Sequence, residues 1–418
     1  MNSVAGQDWF ERPALARIFA LLNADGGEVR VVGGAVRNAL MGLPVGDVDM
    51  ATTLTPDVVV ARAKSAGIKA VPTGIEHGTV TLVIDGEGFE VTTLRRDIET
   101  NGRHAEVAFG TDWQTDAERR DLTINALYAD QSGTVIDLIG GLADIETGMV
   151  RFIGDAATRI AEDYLRILRF FRFFAHYGSG RPDADGLRAS ARAKDKLQTL
   201  SAERVWSEVK KLLSARDPSR ALLWMRQSGV LAEVLPETEK WGIDAIHGLV
   251  AAEQALGWAP NPMLRLAAIV PPDRERLTAL AGRLRLSKAE AVFLTHWADA
   301  PAVDPDMKET ALDRLLYRQG VEGVKVRLKL ALASARADLS AGEAAMQKVA
   351  RLSTLLSRAE KFQRPSFPLT GADVMSAGIA AGPKVGEILK SLEDKWIEVN
   401  FSLDRAALTA RLKDIVES

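Results

Sequence analysis

After about Asp155 the 418-residue sequence gives almost no strand signal, and the segments that read as strands lie before it. VRVVGG is a short apolar run ending in Gly33-Gly34, AVRNALMG is a helical stretch closed by Gly42, and VGDVDMATT alternates like a strand. Thr55 followed by Pro56 reads as a cap and first-turn proline opening a helix through about Ser65. TVTLVI and FEVTTLR are two more strands, joined across the turn DGEG. From Asp155 onward amphipathic helices follow one another, with Pro/Gly breaks near 178–186, 259–263, 300–306 and 364–371. The expected architecture is a mixed α/β head of about 150 residues followed by an elongated all-helical array, a size that suits two to four domains. The stretch Arg95–Glu118 is polar and without a clear period, so it is expected to be a long functional or disordered loop.

Composition removes several classes of chemistry. The chain has no cysteine, which excludes disulfides, thiolate zinc sites and cysteine nucleophiles. A cysteine-free chain fits a reducing compartment, and neither a signal-like start nor an apolar run of membrane-spanning length is evident, so the expected location is cytoplasmic, with no membrane partner. Charge is divided unevenly: residues 1–155 carry 13 Lys+Arg against 23 Asp+Glu, a net of −10, which leaves +7 for residues 156–418. An acidic head suits a site that gathers divalent cations, and a basic remainder suits a polyanionic partner.

The densest chemical signal is the order Gly33-Gly34, Arg37, Asp47, Asp49 within 17 residues. On a strand Asp47 and Asp49 would share one face, where two bare carboxylates repel and a divalent metal, Mg²⁺ for oxygen ligands, removes the conflict. A Gly-Gly turn into a helix lets backbone N–H groups approach a triphosphate, with Arg37 one turn on. Glu90, on a strand that could run beside this pair, is a candidate third carboxylate; the bland alternative is a surface strand residue. Arg119, Arg120, Asp121 and Asn125 together could hold a ribose and phosphates, or could simply be a helix start.

The helix expected from Asp155 has two sides. With Asp163 at 0°, Ile160, Tyr164, Ile167, Leu168, Phe171 and Phe174 fall at about 20–140°, and Arg159, Glu162, Arg166 and Arg169 at about 240–320°. Asp163 and Arg166 are then i, i+3 neighbours, in the plain reading a helix salt bridge. The sharper reading is a base reader. Cytosine and adenine each place an amino donor beside a ring acceptor, which a carboxylate next to a guanidinium matches, whereas uracil and guanine present the reverse order and leave two groups unsatisfied at roughly 1–3 kcal/mol each. Such a pair selects C and A without a nucleic-acid template.

Through GGAVRN, GDVDMAT, PTGIEHGTVTLVI, FEVTTLRRD, GRHAEV, AERRDLTINALY, EDYLRILRFFRF and ERVWSEVKKLL, spanning about Val31 to Leu213, the chain resembles the class II tRNA nucleotidyltransferases, or CCA-adding enzymes, close to their mitochondrial and α-proteobacterial branch, and the related bacterial poly(A) polymerases. Farther on, the resemblance is limited mainly to PLTGADVM and GPKVGEIL. It implies a mixed-sheet, DNA polymerase β-like head over 1–150, a base-recognising helical neck over 151–245, and a tRNA-binding body and tail over 246–418. It also implies two Mg²⁺ ions on Asp47 and Asp49, the triphosphate on Gly33, Gly34 and Arg37, and the ribose on Arg120 and Asp121. Asp163 and Arg166 become the base-reading pair, with Arg159 and Arg169 near the nucleotide and Glu208 structural. The implied substrates are CTP, ATP and the acceptor arm of tRNA, with no obligatory protein partner evident. Asn38 stands where the family often has Asp, a departure expected to have only local structural effect. PTGIEHGTVT lacks the basic stretch of the poly(A) polymerases, and no His-Asp dipeptide suggests an appended phosphohydrolase. Three rivals are a poly(A) polymerase, a CC-only or A-only enzyme, and a silent RNA-binding protein, the last opposed by the presence of both Asp47 and Asp49.

Overall fold

The computed structural model describes residues 2–74, 78–101, 104–238, 244–338 and 342–417, with 96–101 and 104–107 described by their backbone alone. The chain divides into two compact units, residues 1–239 and 240–418. In the first, α1 (Pro13–Leu22), β1 (Val29–Val32), α2 (Gly34–Leu40), β2 (Asp49–Thr52) and α3 (Pro56–Ser65) lead into β3 (Lys69–Gly74), β4 (Thr79–Ile84) and β5 (Glu87–Thr93). There follow β6 (Arg95–Asn101), β7 (His104–Phe109), α4 (Trp113–Glu118), a 3₁₀ turn at Thr123–Asn125, β8 (Leu127–Ala129), β9 (Val135–Asp137) and α5 (Gly141–Thr147). Then come α6 (Ala156–Glu162), α7 (Leu165–Tyr177), α8 (Ala184–Arg192), α9 (Ala202–Leu213), α10 (Ser219–Gln227) and α11 (Val230–Val234).

Seven strands form a mixed sheet in the order β3-β4-β5-β2-β1-β8-β9, parallel only where β2 meets β5. Strand alternation sorts the side chains onto its two faces. Val31, Met50, Phe89 and Val91 join α1 and α3 in one core, with Leu15, Ile18, Val59 and Ala63, while Val32, Ala51 and Leu94 belong to a second core with Tyr128 and Ile153. Phe89 is fully buried, so truncating it to alanine costs about 3–5 kcal/mol. The β4–β5 hairpin turns on two residues, Asp85 and Gly86, both at positive φ (52° and 83°), the primed turn that matches strand twist.

Two expectations need correction. The described residues of 95–118 are not irregular: β6 and β7 form a separate two-stranded ribbon, and α4 follows, capped by Asp112. A ribbon paired only with itself need not carry the half-buried alternation by which strands are recognised. The helix expected from Asp155 is two helices. Asp163 is extended (φ −155°, ψ 109°) and its Oδ1 accepts the Leu165 N–H at 3.1 Å, so it ends α6 and caps the start of α7.

The second unit is helical throughout its described residues: α12 (Ala245–Leu256), α13 (Pro262–Ile269), α14 (Arg274–Arg283), α15 (Lys288–Asp299), α16 (Glu309–Gln319), α17 (Val321–Ala337), α18 (Glu343–Lys361), α19 (Gly371–Ser376), α20 (Pro383–Glu398) and α21 (Arg405–Glu417). Leu312, Leu328, Leu352 and Leu356 centre one core, and Val374, Leu392, Trp396 and Leu408 another. No described helix is long and apolar enough to cross a membrane.

Candidate active site

A cleft of about 590 Å³ opens in the first unit, between the sheet and α7 and α9. Its sheet wall holds Asp49 and Glu90, which are register partners on the parallel strands β2 and β5. Met50, Phe89 and Val91 take the core face, so alternation turns Asp49, Glu90 and Thr92 to the other side. Asp47 lies two residues ahead of β2, exposed and off the cleft lining. Among the described residues none of these three carboxylates has an ion-pair partner, and they do not converge as a closed three-ligand metal set. Asp49 remains open to solvent on one side, yet partial burial in the cleft, then the charges of Glu90 and Asp47, hold its pKa above the usual carboxylate value, against the pull of Arg120. Uncompensated hard-oxygen donors of this kind fit Mg²⁺.

Six arginines line the same cleft: Arg37, Arg119, Arg120, Arg166, Arg169 and Arg204. Arg119 and Arg120 are both anchored on Asp116, which is buried beneath them. Arg119 Nη2 lies 2.6 Å from Asp116 Oδ1 and Arg120 Nη2 lies 3.0 Å from Oδ2, while Tyr128 donates to Oδ2 at 2.8 Å. Asp121 accepts the Leu122 N–H (2.9 Å), Asn125 Nδ2 (3.1 Å) and Arg169 Nε (2.6 Å). Burial by itself would raise the pKa of Asp121, but Arg169 and these hydrogen bonds outweigh it and hold the carboxyl at about 2. Gly33 caps α2 at φ 72°, a conformation that favours glycine. One turn on, Arg37 is buried and hydrogen-bonds only neutral groups: Asn125 Oδ1, Tyr177 OH (2.8 Å) and Asn38 Oδ1 (2.9 Å from Nη2). Burial lowers its pKa. An aspartate in place of Asn38 would set a formal negative charge against Arg37, its neighbour in sequence.

The helical wall is organised differently from the expected Asp163–Arg166 bridge. Asp163 Oδ2 accepts Arg204 Nη2 of α9 at 2.6 Å, and Arg166 pairs with Glu162 while donating to the Arg159 carbonyl at 3.0 Å. The two side chains do not pair with each other: at the helix break at Asp163 the Arg166 N–H donates to the Asp163 carbonyl at 3.0 Å, while each side chain is held by another partner. Both still line the cleft. The cleft thus gathers Gly33, Gly34, Arg37, Asp49, Glu90, Arg120, Asp121, Asn125, Asp163, Arg166 and Arg169, but neither Asp47 nor Arg159, whose guanidinium turns to Glu162 at 3.1 Å. Arg204 was missed by sequence reasoning. It lies 41 residues from Asp163, and no local pattern announces the contact. Glu208 is buried, 2.8 Å from Arg172 of α7.

Residues 29–151 match the family described as Poly A polymerase head domain, and residues 183–241 match Probable RNA and SrmB- binding site of polymerase A. The chain is 34% identical to the mitochondrial CCA tRNA nucleotidyltransferase 1 of Mus musculus, over 96% of this chain and 89% of that one. It is 29% identical to a CCA-adding enzyme of Limosilactobacillus fermentum, over 97% of each chain. Among solved structures it is similar to the Bacillus stearothermophilus CCA-adding enzyme in complex with CTP, with a TM-score of 0.69, 26% identity and 96% of each chain covered.

Proposed function

The chain belongs to the family of CCA-adding tRNA nucleotidyltransferases, and from that premise we propose that it adds C, C and A to tRNA 3′ ends, using CTP and ATP and releasing pyrophosphate. The observation that carries the reading is the single cleft in which unpaired carboxylates on one wall face six arginines and Asp163 on the others. Gly33, Gly34 and Arg37 hold the triphosphate, Arg120, Asp121 and Asn125 the ribose side, and Arg169 fixes Asp121. Asp163 and Arg166 read the base edge, each held by its own partner, and Arg159 contributes through its carbonyl on Arg166. Asp47 and Asp49, with Glu90 alongside, would hold two Mg²⁺ ions, which when bound lower the pKa of the attacking tRNA 3′-hydroxyl and offset the charge of the leaving pyrophosphate. The protein's own work is positioning and neutralisation. Within this proposal residues 1–150 are the catalytic head, 151–245 the base-reading neck, and 246–418 the basic body and tail that hold the acceptor arm by phosphate contacts. A cytoplasmic location belongs to the same reading, with the mitochondrial name of the mouse relative as the alternative that fractionation of tagged protein decides.

The decisive assay uses purified protein, a tRNA ending at its discriminator base, and each nucleoside triphosphate separately and together. Three added nucleotides with CTP and ATP, two with CTP alone, and none with UTP or GTP are expected. Long A tails on unrelated RNA would identify a poly(A) polymerase instead.

A further inference from the structure

On another side of Arg37 lies a smaller cavity of about 160 Å³, lined by Arg37, Arg172, His176, Tyr177, Lys211 and Ser214 among others. We propose that this cavity binds one phosphate group, and that Arg37 is shared between it and the nucleotide in the larger cleft. Only the identity of the phosphate's source rests on the proposed function.

Size comes first. The cavity has room for roughly five waters, enough for a phosphate and well short of the roughly 300 Å³ at which pockets begin to enclose whole small-molecule ligands. Charge then selects an anion. Three cations converge, Arg37, Arg172 and Lys211; Glu208 lies against Arg172, and the charge of Asp121 acts on both arginines. Arg172 Nε lies 2.8 Å from Glu208 Oε2, but the N–H is not directed at the oxygen, so both buried atoms lack a hydrogen-bond partner. Arg37 has only neutral hydrogen-bond partners, and the charge of Asp121 acts on it without a direct ion pair. Tyr177 accepts from Arg37 through its hydroxyl oxygen, which leaves the phenolic proton to donate. The Lys211 ammonium has no ion pair among the described residues. Ser214 adds no donor, since its hydroxyl is given to the Lys211 carbonyl at 2.7 Å.

Two sources supply such a group: a phosphodiester of the RNA primer, or the released pyrophosphate. Lys211 lines this cavity and not the larger cleft, and its side chain is exposed, so charge reversal there is compatible with folding. The first measurement needs no turnover. Inorganic phosphate is titrated into the full chain by ³¹P NMR, and Lys211→Glu should bind it about tenfold more weakly while Lys211→Arg binds it like the parent. The source follows from two further readouts. If the source is RNA, Lys211→Glu lowers the slope of log Kd for tRNA against log salt by about one and leaves pyrophosphate inhibition unchanged. If the source is pyrophosphate, its inhibition constant rises about tenfold and the salt slope stays. Unchanged phosphate binding in a folded Lys211→Glu protein overturns the proposal. Failure of the parent protein to extend tRNA would sink the proposed function, while the phosphate titration would still decide the cavity.

Discussion

On the sheet wall of the cleft Asp49 and Glu90 face each other across parallel strands with no ion-pair partner among the described residues, whereas on the helical wall Asp163 and Arg166 are each tied to a dedicated partner, Arg204 and Glu162. Under the proposed function, the difference follows from what each wall would do. Burial first, and then like charges left side by side, raise the pKa of Asp49 and cost stability, an arrangement that an arriving cation would resolve. Groups that read a base edge must already point correctly before the base enters, so their orientation is secured by neighbours. One wall is incomplete without its ligand; the other is prearranged.

The largest break in this contrast comes from Asp49→Ala, which should lower incorporation of both CTP and ATP by roughly a thousandfold or more, since every step uses one centre. Near-normal single-turnover rates with Mg²⁺ would show that the sheet wall is not the metal site.

Next in size are the supports of the helical wall. Arg204→Ala frees Asp163, and Glu162→Gln weakens the hold on Arg166, so each should reduce the ratio of CTP and ATP to UTP and GTP incorporation by roughly ten- to a hundredfold. Asp163→Ala combined with Arg204→Ala should cost less than the sum of the two, because the pair acts as a unit. An unchanged nucleotide ratio in both single variants would place base selection elsewhere.

Asp121 offers a comparison in stability. Its folded pKa of about 2 lies below the ordinary value of 3.8, so its contribution is complete above about pH 4 and is lost as pH falls through 2. The shift corresponds to about 2 kcal/mol at neutral pH. In urea unfolding, Asp121→Asn should lose about that much at pH 6 and less at pH 3; an equal loss at both would show that ionisation of Asp121 does not support the fold.

The smallest effect has the opposite sign. Asp49→Asn removes the repulsion on the sheet wall, so without divalent cations its Tm should rise slightly above that of the parent, and added Mg²⁺ should stabilise the parent more than the variant. A lower Tm in the metal-free variant would mean that the Asp49 charge already has a compensating partner.

Local patterns carried much of this molecule. The change from strand alternation to helical periodicity near Asp155, the Thr55-Pro56 helix start and the β4–β5 hairpin are visible in short windows, because each depends on side chains within a few residues. The motifs of the cleft were legible for the same reason, each being a compact run on one strand, turn or helix. The partners of those motifs were not. Arg204 reaches Asp163 over 41 residues, Arg37 meets Asn125 over 88 and Tyr177 over 140, and Arg169 meets Asp121 over 48. Which buried donor finds which acceptor is decided by packing of α7 and α9 against the head, where each polar group must be satisfied by whatever the fold brings near. The break at Asp163 shows the boundary between the two kinds of information: aspartate's preference for helix caps was readable, but whether that preference or the surrounding helical periodicity prevailed depended on tertiary contacts. Residue chemistry and local periodicity were thus properties of the sequence itself, and the pairing that orients the chemistry arose only from the folded chain.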